Sequence, residues 1–258
     1  MSLEALTALA RRELEQLRYP VANWVLPRDG FLDVLVIGAG MCGQTATFAL
    51  LREGVRNLRC LDRAPRGSEG PWTTFARMDI LRSPKHLTGP DLGVAALTYR
   101  AWHEAKFGAA HWEKLHKIDR VEWANYLLWV RETAALPVQN GVEVEELELG
   151  KGCVKARLRG GEIVYSRKAV LAMGREGSGA ARWPGLEKRC TSGPTSATMI
   201  SATRRATLRI VLSRSSTTSK GRSRSPICVS SRCRVSSKKA ICARICACLL
   251  YTSDAADE

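Results

Sequence analysis

The stretch Phe31–Leu50, FLDVLVIGAGMCGQTATFAL, decides how this sequence is read. Val34 to Ile37 is a short apolar, mostly β-branched run of the kind that forms a buried parallel strand. It leads straight into Gly38-Ala39-Gly40-Met41-Cys42-Gly43, and a helix-like apolar pattern continues through Leu51. Each glycine has its own task in such a turn. Gly38 permits the tight turn off the strand, Gly40 lets the backbone approach a pyrophosphate, and Gly43 lets the helix pack closely on the sheet. The phosphates then meet the free N–H groups and the positive dipole end of the helix. A bare GxGxxG recurs by chance, but strand, glycines and helix in this order supply the structural context it needs.

A second strand is expected over Asn57–Leu61, with Asp62 following it, 24 residues after Gly38. A carboxylate there can accept hydrogen bonds from the ribose hydroxyls of an adenosine. The alternative is that Asp62 only caps a turn before Pro65; the spacing favours the ribose role. Arg63 is its neighbour, and that basic charge alone does not establish a preference for a phosphorylated ribose.

Outward from this stretch, residues 3–18 place Leu3, Leu6, Ala10, Leu14 and Leu17 at steps of three or four, which predicts an amphipathic helix. A connector containing Pro and Trp runs to residue 30. Val142 to Gly174 reads as three strand-like runs, VEVEELEL, CVKARLR and EIVYSRKAVLAM, with glycine turns between them. Residues 94–136, rich in Trp, His and charge at helical spacing, predict an inserted helical pair over the sheet.

Composition divides the chain. It has 258 residues, 40 Lys and Arg, 25 Asp and Glu, and nine Cys. Residues 187–258 carry 14 of the basic and 4 of the acidic residues, 14 of the serines and six of the cysteines, but one aromatic residue, Tyr251. Such a stretch has little from which to build a packed core. There is no run of eighteen apolar residues, so no membrane partner is expected, and the charged start lacks the apolar block of a signal peptide. Cys42, Cys60 and Cys153 are isolated, which fits a reducing cytoplasm and argues against a disulfide reductase.

The region from the glycine turn to residue 186 resembles flavoprotein monooxygenases with two dinucleotide-binding domains, the flavin-containing and Baeyer–Villiger enzymes among them. Glu69-Gly70-Pro71-Trp72 stands where that family has a Gly-Gly-x-Trp-like turn beside the flavin. Val170-Leu171-Ala172-Met173-Gly174 is similar to the strand ending in Ala-Thr-Gly, with Met173 in place of the Thr and any Thr-specific hydrogen bond lost. Pro184-Gly185 matches a later turn. More narrowly, Glu69–Gly93 and the LTYRAWHEAKFG that follows resemble the bacterial urate hydroxylase-like group, over roughly residues 15–186.

The resemblance implies an α/β, Rossmann-like FAD/NAD(P)-binding domain with a β-meander and a helical insertion, over residues 31–186. FAD would lie on Gly38, Ala39, Gly40, Met41, Cys42, Gly43, Asp62, Arg63, Trp72, Ala172 and Gly174. The implied activity is FAD- and NADPH-dependent hydroxylation of a small molecule, urate-like substrates included, in which the flavin carries the chemistry. No catalytic side chain is singled out, and oligomeric state is left open. Alternatives are a flavin-dependent reductase or dehydrogenase, or a nucleotide-binding fragment with a basic arm. Lys85 and Arg82 are either polar groups near the flavin or plain surface residues. His86, His103, His111 and His116 are read as packing or solvated histidines, not a metal cluster.

Such a flavoprotein needs a second glycine fingerprint for NADPH after residue 186, but residues 187–258 offer only Gly193 and Gly221. This chain is therefore expected to lack the NADPH domain and to be inactive in monooxygenation. The Ser/Arg/Thr/Cys pattern of this tail is what GC-rich coding DNA gives when read out of frame, and Cys248–Glu258 resembles a translated transposase mosaic-end sequencing adapter. An out-of-frame, unstructured C-terminal tail is thus expected. Read at face value, Ser213–Pro226 is similar to an Arg/Ser-rich RNA-binding arm, the less favoured reading.

Overall fold

A computed structural model describes residues 1–86, 89–150, 152–174 and 209–212. Helix α1 (Leu3–Gln16) is capped by Ser2, whose hydroxyl accepts from the Ala5 N–H, and it buries Leu6, Ala10 and Leu14. It stops two residues short of the predicted end because Arg18 takes a positive φ of 55° and the Tyr19 N–H turns back to the Leu14 carbonyl. Leu17 is left exposed.

Strand β1 (Phe31–Ile37) and helix α2 (Met41–Arg52) follow as the glycine turn requires, then β2 (Leu58–Asp62) parallel to β1 with Val34 opposite Leu58. Strand β2 lies one residue later than the sequence suggests, so Asp62 ends the strand instead of following it.

A 3-10 turn over Ala95–Leu97 leads to α3 (Tyr99–Phe107), α4 (Ala109–Lys114) and α5 (Arg120–Thr133). The expected helical pair is thus three helices. Gly108, with a φ of 87°, breaks what would otherwise be one helix between α3 and α4. Thr98 caps α3, and Asp119 caps α5 by accepting from the N–H groups of Val121 and Glu122.

Strand β3 (Val138–Asn140) then pairs parallel to β2. Strands β4 (Val144–Gly150), β5 (Cys153–Leu158) and β6 (Ile163–Leu171) form the predicted antiparallel meander, and β6 returns parallel to β1 with Ile37 opposite Leu171. The order across the sheet is β3-β2-β1-β6-β5-β4-β7, with β7 (Arg209–Leu212) parallel to β4 at the far edge. These four residues depart from the absence of structure expected after residue 186; the open edge of β4 offers them unpaired backbone groups. The other expectations for residues 187–258, the out-of-frame and adapter-like readings and the basic arm, lie outside the described residues, as does Pro184-Gly185.

Alternation along β1 sends its side chains to two cores. Val34 and Val36 join α1, α2 and the insertion, while Leu35 and Ile37 join Leu61 and the meander residues Val144, Leu147, Val154, Ala156, Leu158 and Val164. No described helix is long and apolar enough to cross a membrane.

Candidate functional site

The site lies at the C-terminal ends of β1, β2 and β6. Gly38 has a φ of 96°, and a Cβ there would fall 2.3 Å from the Ala172 carbonyl oxygen. At Gly43 a Cβ would fall 1.7 Å from the Gly38 carbonyl oxygen. Neither position admits a side chain, so the first and third glycines do the jobs the sequence assigns them. Gly40 differs. It is the N-cap of α2 and offers no side-chain cap, and its nearest neighbour is Gly70, 3.5 Å from where its Cβ would stand. Two glycine backbones therefore meet at van der Waals distance with no side chain between them, and the backbone edge of that contact forms a slot at a helix N-terminus whose first N–H groups have no intrahelical acceptor.

Asp62 is buried at the end of β2, and its carboxylate is engaged within the protein. Oδ2 accepts from the Ala39 N–H at 2.6 Å and Oδ1 from the Ala64 N–H at 2.8 Å. Sequence reasoning set a ribose contact against a local cap; in this structure the carboxylate braces the glycine turn itself. Ala39 is fully buried, and its carbonyl accepts from Gln44 Nε2 at 3.0 Å. Arg63 is exposed. Ala172 is brought against Gly38 and donates its N–H to the Ile37 carbonyl at 2.8 Å. Met41 packs on the helix-side core, Cys42 is half-buried, and Gly174 lies two residues beyond Ala172 with a φ of 66°.

Trp72 stands beside Gly70, edge-on to Trp123 with ring centroids 6.3 Å apart. Its indole Nε1 is buried and has no hydrogen-bond partner, which leaves a donor available next to the slot. Its carbonyl accepts from Arg120 at 2.6 Å.

Sequence reasoning missed the polar group beneath this loop. Glu69 is buried and pairs with Arg131 of α5 at 2.5 Å, while Asn140 of β3 donates to the same carboxylate oxygen at 2.6 Å. Arg131 interrupts a face of α5 that otherwise buries Trp123, Tyr126, Leu127 and Val130, and a lone cation on an apolar stripe was the available signal.

Other candidates fall away from the slot. Lys85 donates to the Trp112 carbonyl at 2.7 Å and stands over that ring, so it belongs to the insertion. Lys117 bonds the Arg82 carbonyl. His103 is buried with Nε2 3.2 Å from His111 Nδ1, and burial, then the nearby His111, lowers its pKa. Among the described residues no group of three metal-ligating side chains occurs. Burial pushes the Cys60 thiol up to about 11, which keeps it protonated.

The chain is 42% identical over 190 residues to an FAD-dependent urate hydroxylase of Xanthomonas campestris pv. campestris, a match covering 71% of this chain and 40% of that protein. This chain thus spans well under half the length of that relative. Among solved structures, a flavin-containing monooxygenase from Stenotrophomonas maltophilia shares 23% identity, with a TM-score of 0.45 over 60% of this chain and 42% of the other. An ornithine hydroxylase from Pseudomonas aeruginosa shares 19%, with a TM-score of 0.45 over 56% of this chain and 39% of the other. A family profile described as FAD-NAD(P)-binding matches residues 35–176. With more than half of its length under that profile, which opens on the glycine turn, the chain belongs to the FAD-NAD(P)-binding family.

Proposed function

We propose that this chain is the FAD-binding part of an NAD(P)H-dependent flavoprotein monooxygenase that hydroxylates a small molecule, with urate-like compounds as the first substrates to try. The observation that carries the cofactor assignment is the glycine turn at the uncapped start of α2, where neither Gly40 nor the Gly70 packed beside it puts a side chain over the free N–H groups. It fits a pyrophosphate, which needs N–H donors and close backbone approach and would be blocked by side chains. The FAD would rest on Gly38 to Gly43, with Ala172 and Gly174 closing one side and Trp72 the other. Asp62 fixes the turn by holding Ala39, and its remaining lone pairs, with Arg63 beside it, would serve the adenosine end. When bound, the flavin supplies the redox chemistry, taking hydride from NAD(P)H and passing electrons to O₂. The protein would orient the dinucleotide, and the aromatic insertion, through Trp123 against Trp72, would shield that side from water. The likeness to a urate hydroxylase supports the substrate class.

Retention of one FAD per chain through gel filtration is the expected result, with quenching of Trp72 fluorescence. A chain that binds neither FAD nor ADP overturns the assignment. This chain alone is expected to be inactive; in a protein that joins it to an NAD(P)H-binding part, hydroxylation is separated from simple reductase activity by whether urate-dependent NAD(P)H oxidation yields a product carrying oxygen from O₂.

A further inference from the structure

The loop that carries Gly70 to the slot has almost no apolar anchor. Between Arg63 and Gly70 the one buried residue is Glu69; Arg63, Pro65 and Arg66 are exposed, and Ala64, Gly67 and Ser68 are half-buried. A hydrophobic contact therefore does not set where this loop lies. Its polar contacts do. Glu69 Oε2 accepts from the Gly67 N–H at 2.8 Å, within the loop. Glu69 Oε1 accepts from Arg131 and from Asn140 Nδ2. Asn140 Nδ2 also donates to the Ala64 carbonyl at 2.9 Å, at the start of the loop. Arg131 Nη2 in turn holds Asn140 Oδ1 at 2.8 Å and the Val138 carbonyl at 3.2 Å. One guanidinium thus ties the start, middle and end of the loop to α5 and β3.

We infer that Arg131 is a positioning residue for the dinucleotide: from the helical insertion it holds, through Glu69 and Asn140, the loop that places Gly70 opposite Gly40. The inference rests on the reading of that slot as the FAD site. A lysine cannot replace it, because a single ammonium lacks the planar fork that serves Glu69, Asn140 and Val138 together. A buried ion pair adds little net stability over an apolar pair of the same volume, yet it fixes geometry. That makes the order of the loop, more than the stability of the fold, the quantity it controls.

The test uses the whole chain and the variants Arg131→Lys and Asn140→Ala, neither of which removes the charge that neutralises Glu69. Hydrogen exchange is read without ligand, and FAD affinity is read by fluorescence. Amides of residues 64–70, Gly67 first, are expected to exchange at least about tenfold faster. The FAD Kd is expected to rise about tenfold, with exchange in β1 and α2 unchanged. Exchange and Kd within twofold of the unaltered chain in both variants would overturn the role, as would exchange that rises evenly through every element. If Arg131→Lys does not fold, Asn140→Ala alone decides between these outcomes. An unaltered chain that binds no FAD removes the site reading itself, and the positioning role with it, whatever the loop does.

Discussion

The two faces of the sheet reach the same site by different means. On the helix face Tyr99, Trp102, Trp123 and Tyr126 form a cluster with ring centroids 5.2 to 5.9 Å apart, a large apolar payload in which Tyr99 meets Tyr126 edge-on and the other pairs are tilted. The Tyr126 hydroxyl donates to the Leu97 carbonyl, so this core is also pinned by a buried hydrogen bond. The meander face is a smaller aliphatic cluster built around Leu35, Ile37, Leu61, Leu147 and Leu158. The helix face touches the slot through side chains, Trp123 on Trp72 and Arg131 on Glu69. The residue just past β6 touches it chiefly through backbone, the Ala172 carbonyl against Gly38, with the Ala172 methyl group beside Gly43. Side-chain contacts can be loosened by degrees, whereas a backbone contact that excludes a Cβ either forms or does not.

That contrast can be broken by truncating each core. Trp102→Ala on the helix face is expected to cost about 4 kcal/mol and Leu147→Ala on the meander face about 3 kcal/mol, both read from urea unfolding. If the faces differ as described, only Trp102→Ala also loosens residues 64–70 in hydrogen exchange; equal loosening by both would erase the distinction.

The backbone contact is sharpened by a glycine pair. Gly43→Ala drives a methyl group to 1.7 Å from the Gly38 oxygen and should cost about 3 kcal/mol. Gly40→Ala meets only ordinary contact at 3.5 Å and should leave the urea midpoint near that of the parent while weakening FAD binding. Loss of stability in Gly40→Ala, or none in Gly43→Ala, would show that the slot is placed wrongly.

A smaller effect concerns acid. His103 is buried beside His111, with Lys85, Glu104 and Glu122 also acting on it, and its pKa lies below the ordinary 6.5. The folded state therefore binds its proton less readily than the unfolded chain. Its contribution is present above that ordinary value and is lost as pH falls through the lower folded value. The urea midpoint should drop between about pH 7 and pH 5, and His103→Phe should flatten that drop without affecting the meander.

The smallest effect is expected on the exposed side of the meander. Arg157, itself exposed, pairs with the half-buried Glu146 at 2.8 Å. Arg157→Ala should leave the thermal midpoint unchanged within error at physiological salt.

Much of this site can be read in the sequence. The strand, Gly38, Gly43 and α2 follow from backbone rules that act over a few residues, and the meander follows from its period of two. Spacing brings Asp62 next to the turn but does not reveal its engagement with Ala39, because spacing gives proximity and not the hydrogen bond that wins it. The expected pair of helices is three because one positive-φ glycine, Gly108, interrupts the helical pattern of residues 94–136. Lys85, a candidate near the flavin by position, is taken by the Trp112 carbonyl of the insertion, a contact set by how α4 packs.

The sequence by itself determined the dinucleotide turn, since no residue but glycine satisfies Gly38 and Gly43 whatever surrounds them, and that local necessity is visible in the letters. Only the tertiary structure decided what stands opposite the turn. Gly70 reaches Gly40 because Glu69, Arg131 and Asn140, as much as 71 residues apart in the chain, meet under one loop. A buried charge is tolerated only where its partners arrive from elsewhere in the fold.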